Sequence, residues 1–146
     1  MIKQTLLGLA LAGSLGIGTA QAADTHKACF VYVGPKTDGG WTQAHDIGRR
    51  QAEKHFGGKV STAYVENIPE GPDAERAIER FARSGCNVIF TTSFGFMDQT
   101  LKVAKKFPKV RFEHATGYKT SKNVASYNAR FYQGRYIIGQ IAGKMS

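Results

Sequence analysis

Beyond residue 23 the chain alternates short apolar runs with longer segments of helical period, and this alternation limits the fold more than any other feature. Apolar runs at residues 28–34, 59–66, 87–92, 110–115 and 123–127 read as strands. The run at 87–92 is nearly unbroken, as suits a strand covered on both faces. Between the strands lie helices. One begins near Thr42, with Ala44, Ile47, Gly48, Ala52 and Phe56 on one side, and is stopped by Gly57-Gly58. A second opens with Pro72 at its first position and with Asp73 and Glu75 in its first turn, where proline and acids are both favoured. Its stripe of Ala74, Ala77, Ile78, Phe81 and Ala82 ends at Gly85. A third covers residues 97–107 before Pro108, and a last one, residues 131–145, carries Tyr136, Ile137, Ile138, Ile141 and Ala142. Strand-helix units joined by right-handed crossovers give an α/β fold: a three-layer, doubly wound parallel sheet of Rossmann-like type.

The first 22 residues read as something other than this domain. Lys3 precedes an uncharged run rich in Leu, Ala and Gly, which closes on Ala20-Gln21-Ala22, the small-x-small pattern of a cleaved signal peptide. A permanent membrane anchor fits less well, because Gly8, Gly13, Ser14, Gly16 and Gly18 weaken the span. A lipid anchor is equally disfavoured, since the first cysteine, Cys29, lies beyond the apolar run. The expectation is a signal at residues 1–22 and a soluble periplasmic domain at residues 23–146. Export to an oxidising compartment leaves two readings for Cys29 and Cys86, each at the start of an expected strand: a disulfide, or two small buried hydrophobes. Two cysteines without clustered histidines speak against a metal site. The net charge of +9 invites a nucleic-acid reading. Export opposes it, and the main basic group (Lys102, Lys105, Lys106, Lys109 and Arg111) sits around one helix end, as a solvated face or a docking surface.

Ligands of doubly wound sheets bind at the carboxyl ends of the strands, which selects the loops 35–41, 66–71, 93–98, 116–119 and 128–131. Trp41, Phe94, Phe96 and Tyr118 are large aromatic residues in these loops, with Asp38 and Asp98 beside them. Stacking a base on an aromatic face contributes roughly 1 to 3 kcal/mol, and a carboxylate accepting a ligand hydroxyl adds roughly 1.5 to 3 kcal/mol. Glycines 39, 40 and 95 permit close approach of backbone. The competing reading makes the aromatics core caps and the aspartates helix caps. Catalysis finds no support: there is no phosphate-binding glycine fingerprint and no nucleophile elbow around Ser93. His45, His55 and His114 are scattered, as surface or capping histidines. No catalytic residue and no cofactor is expected.

The same loops carry a resemblance. Residues 31–35 (Val-Tyr-Val-Gly-Pro) with 38–42 (Asp-Gly-Gly-Trp-Thr), then 91–98 (Thr-Thr-Ser-Phe-Gly-Phe-Met-Asp), then 127–136 (Tyr-Asn-Ala-Arg-Phe-Tyr-Gln-Gly-Arg-Tyr) together resemble the basic-membrane-protein family of substrate-binding proteins, the purine nucleoside receptor type. The resemblance implies one lobe of a type I periplasmic binding protein, the N-terminal lobe, with the second lobe absent from this stretch. It implies a small-molecule ligand, a purine nucleoside or a base such as adenine, and the permease of an ABC importer as partner. Loops and resemblance together give Asp38, Trp41, Thr42, Ser93, Phe94, Gly95, Phe96, Asp98, Tyr118 and Asn128 as ligand-binding candidates. Many relatives have an Asp-Gly-Ser-Phe-Asn type first loop; the Gly-Gly-Trp-Thr version here leaves nucleoside and bare purine both open. Without a second lobe, weak binding and an exposed apolar patch near the last helix are expected. Receptors of this fold for a sugar or signalling molecule, and a single-domain flavodoxin-like protein, are the alternatives.

Overall fold

Each apolar run of the sequence becomes a strand in the computed structural model, which describes residues 25–146. The expected signal lies outside those residues. The chain runs β1 (His26–Val31), α1 (Trp41–Phe56), β2 (Val60–Val65), α2 (Pro72–Arg83), β3 (Val88–Thr91), α3 (Met97–Lys106), β4 (Arg111–Ala115), β5 (Val124–Tyr127) and α4 (Phe131–Met145). The five strands form one parallel sheet of order β2-β1-β3-β4-β5. The chain steps outward from β1 to β2 and then returns to β3, so right-handed crossovers put α1 on one face and α2 and α3 on the other. The order reverses between β1 and β3, the switch point at whose carboxyl edge doubly wound sheets bind ligands.

The two faces are built differently. Against α2 and α3 the core is apolar and closed: the α2 stripe of Ala74, Ala77, Ile78, Phe81 and Ala82 is buried with Val31, Ile89, Val103 and Phe112. A fully buried side chain such as Ile78 contributes about 1.5–3 kcal/mol. Asn123 ties β5 to this layer by donating its amide to the carbonyls of Ala104, Phe107 and Val110, the orphaned acceptors at and beyond the end of α3. Cys29 and Cys86 are joined as a disulfide, with Cα atoms 6.0 Å apart, inside the same core. Closing a loop of 57 residues' separation favours the folded state by about 4 kcal/mol on the chain-entropy account. Lys102 and Lys106 do not form a free basic face; they pair with Glu75 and Glu79 of α2.

On the other face α1 docks through polar groups, and here the helix departs from its expected apolar side. Ile47 and Phe56 are exposed, whereas Thr42 and Asp46 are buried. The reason is a network over β1 and β2. The Tyr32 hydroxyl donates to Asp46 at 3.5 Å, Arg49 donates to Asp46 at 2.8 Å and to the Thr62 hydroxyl at 2.7 Å, and Glu53 accepts from the Thr62 backbone N–H at 3.1 Å. Burial, then the charge of Asp46, pushes the Tyr32 hydroxyl far above its ordinary pKa, so it stays a donor. Phe30 and Phe90 stack at 4.6 Å on the same face. The helix α4 contributes no buried residue: Tyr136, Ile137, Ile138 and Ile141 are all exposed, as the expected apolar patch near the last helix requires.

Candidate functional site

The turn after β1 is organised by Asp38. Its Oδ1 accepts the backbone N–H of Gly40 at 2.8 Å and of Gln43 at 3.0 Å, and its Oδ2 accepts that of Thr42 at 2.8 Å. These bonds, led by Gln43, hold the carboxyl down at about 2, below its ordinary 3.8. The interaction therefore stabilises the fold above the ordinary value and is lost as pH falls through about 2. Asp38 thus caps the start of α1 and shapes the turn that presents Trp41. Thr42 is wholly buried beneath that turn.

Trp41, the first residue of α1, bridges two loops. Its indole N–H donates to the Thr92 carbonyl at 2.6 Å, which fixes the ring against the end of β3. The ring also meets His45 at 4.7 Å and Phe131 at 5.6 Å. The loop after β3 makes a 3₁₀ turn over Phe94–Phe96, and this turn sends its two aromatic residues opposite ways. Phe94 is 55% exposed, with its ring 6.3 Å from that of Tyr118, itself 72% exposed. Phe96 is completely buried in the α2–α3 core, so it supports the loop from below and offers no surface to a ligand. Asp98 accepts from Lys119 at 2.8 Å across the mouth between the β3 and β4 loops. Asn128 turns its Oδ1 onto the Ala129 N–H at 2.8 Å and lines a groove.

That groove, of about 630 Å³, leads from Trp41, Thr116, Asn128 and Phe131 along α1 past Ala44, Gly48 and Ala52, floored by Phe30, Phe90 and Tyr127. Glu113 lies in its wall; burial, then the Glu113 charge, raises the Tyr127 pKa. No candidate residue was chosen for this groove from sequence beyond Trp41 and Asn128, because Phe30, Phe90 and Tyr127 sit within strands and read as core. Ser93 and Gly95 meet a residue that sequence reasoning passed over: the Ser93 hydroxyl donates to Glu70 Oε1 at 2.6 Å. His114 corrects an expectation, since it is neither a surface nor a capping histidine. It is completely buried at the end of β4, hydrogen-bonded through Nδ1 to the Thr91 hydroxyl at 3.0 Å, and burial lowers its pKa. His45 does not cap either: it lies within α1 and bonds through Nδ1 to the Trp41 carbonyl, one turn back, at 2.8 Å. Among the described residues no group of side chains suits a metal ion, and no helix is long and apolar enough to cross a membrane.

Residues 25–146 match the model of one family: ABC transporter substrate-binding protein, PnrA-like. The chain belongs to this family. Within it, a purine-binding protein of Brucella abortus (strain 2308) is 54% identical over 146 residues, all of this chain and 40% of the relative. A candidate glucose-binding protein of an ABC transporter from Haloferax volcanii is 36% identical over 129 residues, 88% of this chain and 32% of the relative. The chain thus spans less than half the length of these curated relatives. Among solved structures, an ABC transporter solute-binding protein from Conexibacter woesei superposes with a TM-score of 0.63 at 20% identity, over 71% of this chain and 35% of that one. Another, from Aeropyrum pernix K1, gives 0.59 at 20% identity over 70% and 28%. These likenesses establish the fold, an α/β sheet domain. The family is one of binding proteins and not of enzymes.

Proposed function

We propose that residues 23–146 are the first lobe of a periplasmic substrate-binding protein, exported by the signal at residues 1–22, that captures a purine base or nucleoside for an ABC importer. The observation that carries this reading is the aromatic surface at the carboxyl edge: the exposed rings of Phe94 and Tyr118 lie 6.3 Å apart, Asp98 is tied to the neighbouring Lys119, and Thr92 holds the Trp41 ring at the end of β3, which suits a flat, hydrogen-bonding ligand. The name of the Brucella relative points the same way. Ligand binds the open lobe; contacts from a second lobe shift the hinge equilibrium to a closed form, and the permease reads that form.

A sugar is the second reading, favoured by the Haloferax relative and by the Asp98 carboxylate, which suits hydroxyl groups as well as amines. The two separate in a thermal-shift panel on the full-length protein with adenine, adenosine, glucose and ribose. A ligand at a hundred times its Kd stabilises by about 2.7 kcal/mol, a shift of a few degrees. Adenine or adenosine raising the Tm while both sugars leave it unchanged is the expected result. Sugars alone raising it overturns the purine reading.

A further inference from the structure

Of the carboxylates in the described residues, most are spoken for. Asp38 caps α1, Glu66 accepts the Lys36 N–H, and Asp46, Glu53, Asp73, Glu75, Glu79 and Asp98 pair with arginine or lysine. Glu70 has neither a cation nor a backbone N–H; its one partner is the Ser93 hydroxyl on Oε1. It is also placed with care. The loop after β2 is pinned to the end of β1 by Ile68 N–H on the Tyr32 carbonyl at 3.0 Å, turns at Asn67 with φ 57°, and turns again at Gly71 with φ 95°. A non-glycine residue in the left-handed region is uncommon and needs surrounding contacts to hold it.

Those turns lay the Glu70 carboxylate on the backbone of Gly95. A Cβ at Gly95 would stand 2.0 Å from the carboxylate carbon, so a glycine there is the condition for Glu70 to lie where it does. Glu70, Ser93 and Gly95 therefore form one unit that brings an uncompensated negative group to the same loop that exposes the Phe94 ring.

We infer that Glu70 is a ligand-contacting specificity residue: Ser93 holds one carboxylate oxygen, and the other accepts an N–H of a purine base lying against Phe94. The inference deepens the purine reading and rests on it. A carboxylate without a cation in its reach favours ligands that present N–H donors over ligands that present only acceptors or carry negative charge.

The test is calorimetric titration of adenine, 9-methyladenine and N6,N6-dimethyladenine into the full-length protein and its E70Q and G95A variants, with thermal unfolding as the check on folding. A charge-assisted hydrogen bond lost to a neutral amide predicts adenine binding about tenfold to hundredfold weaker in E70Q. The Tm without ligand stays at the wild-type value, because Glu70 is exposed. G95A, which displaces the carboxylate, weakens adenine as well. For whichever methylated purine lacks the donor, E70Q and wild type bind alike, a pattern that a merely structural role of Glu70 would not produce. Wild type binding adenine with E70Q equal to it overturns this inference and leaves the purine reading standing. Uniform weakening of all three purines in E70Q overturns it too. Wild type binding none of the three overturns the purine reading, and the assignment of Glu70 with it.

Discussion

The two faces of the sheet solve the same packing problem in different ways. The α2–α3 face is sealed by small and branched apolar side chains and crossed by the Cys29–Cys86 disulfide. The α1 face is held at one side by the Asp46–Arg49–Thr62 network and lies open at the other, where Phe30, Phe90 and Tyr127 floor a groove. The difference teaches where stability and recognition reside. Close apolar packing fixes the strands and hence the height of the loops at the carboxyl edge, while the α1 face leaves aromatic surface beside that edge.

Truncating the same aromatic residue on each face breaks or sharpens that contrast. Phe81→Ala, in α2 at 8% exposure, is expected to cost about 3–5 kcal/mol in urea unfolding of the full-length protein. A loss below 1 kcal/mol would mean that this face is not the load-carrying core. A smaller effect comes from His114, under the β4 loop. Burial holds its folded pKa below the ordinary 6.5, so the unfolded chain binds the proton first. Stability is complete above pH 6.5 and falls as acid is added through the folded pKa; in H114Q that part of the Tm-versus-pH slope disappears. An unchanged slope in H114Q would refute the assignment. The smallest effect is expected from Phe56→Ala at the end of α1, 52% exposed, within about 0.5 kcal/mol of wild type. A cost matching that of Phe81→Ala would erase the contrast between the faces.

The order and type of the five strands and four α-helices of the described residues were legible in the sequence, because both periodicities are strong here. The α2 stripe and its Pro72 start are the clearest case, and the structure starts α2 at Pro72. What α1 buries was not legible: Ala44, Ile47 and Phe56 keep helical spacing, but Asp46 and Arg49 find partners in Tyr32, just past β1, and Thr62 of β2, which only the sheet register brings within reach. At the carboxyl edge, sequence located the loops and could not give the direction of each side chain within them. Phe94 and Phe96 are indistinguishable as letters, yet a 3₁₀ turn sends one to solvent and one to the core. Asp38 accepts the N–H groups at the start of α1, a local role that its position before the helix allowed. Glu70 gave no signal by itself; the hint was Gly95, whose missing side chain makes room for it. The cysteine pair needed the β1–β3 adjacency, which the order of elements along the chain does not state.

The measurement that meets the central claim most directly is a crystal structure of the full-length protein grown with adenine. The account predicts the purine ring at the carboxyl edge of this sheet, in van der Waals contact with Phe94 or Trp41 and within hydrogen-bond distance of Glu70 or Asp98. Adenine bound elsewhere, with these residues arranged as they are here and solvent between them, would contradict it.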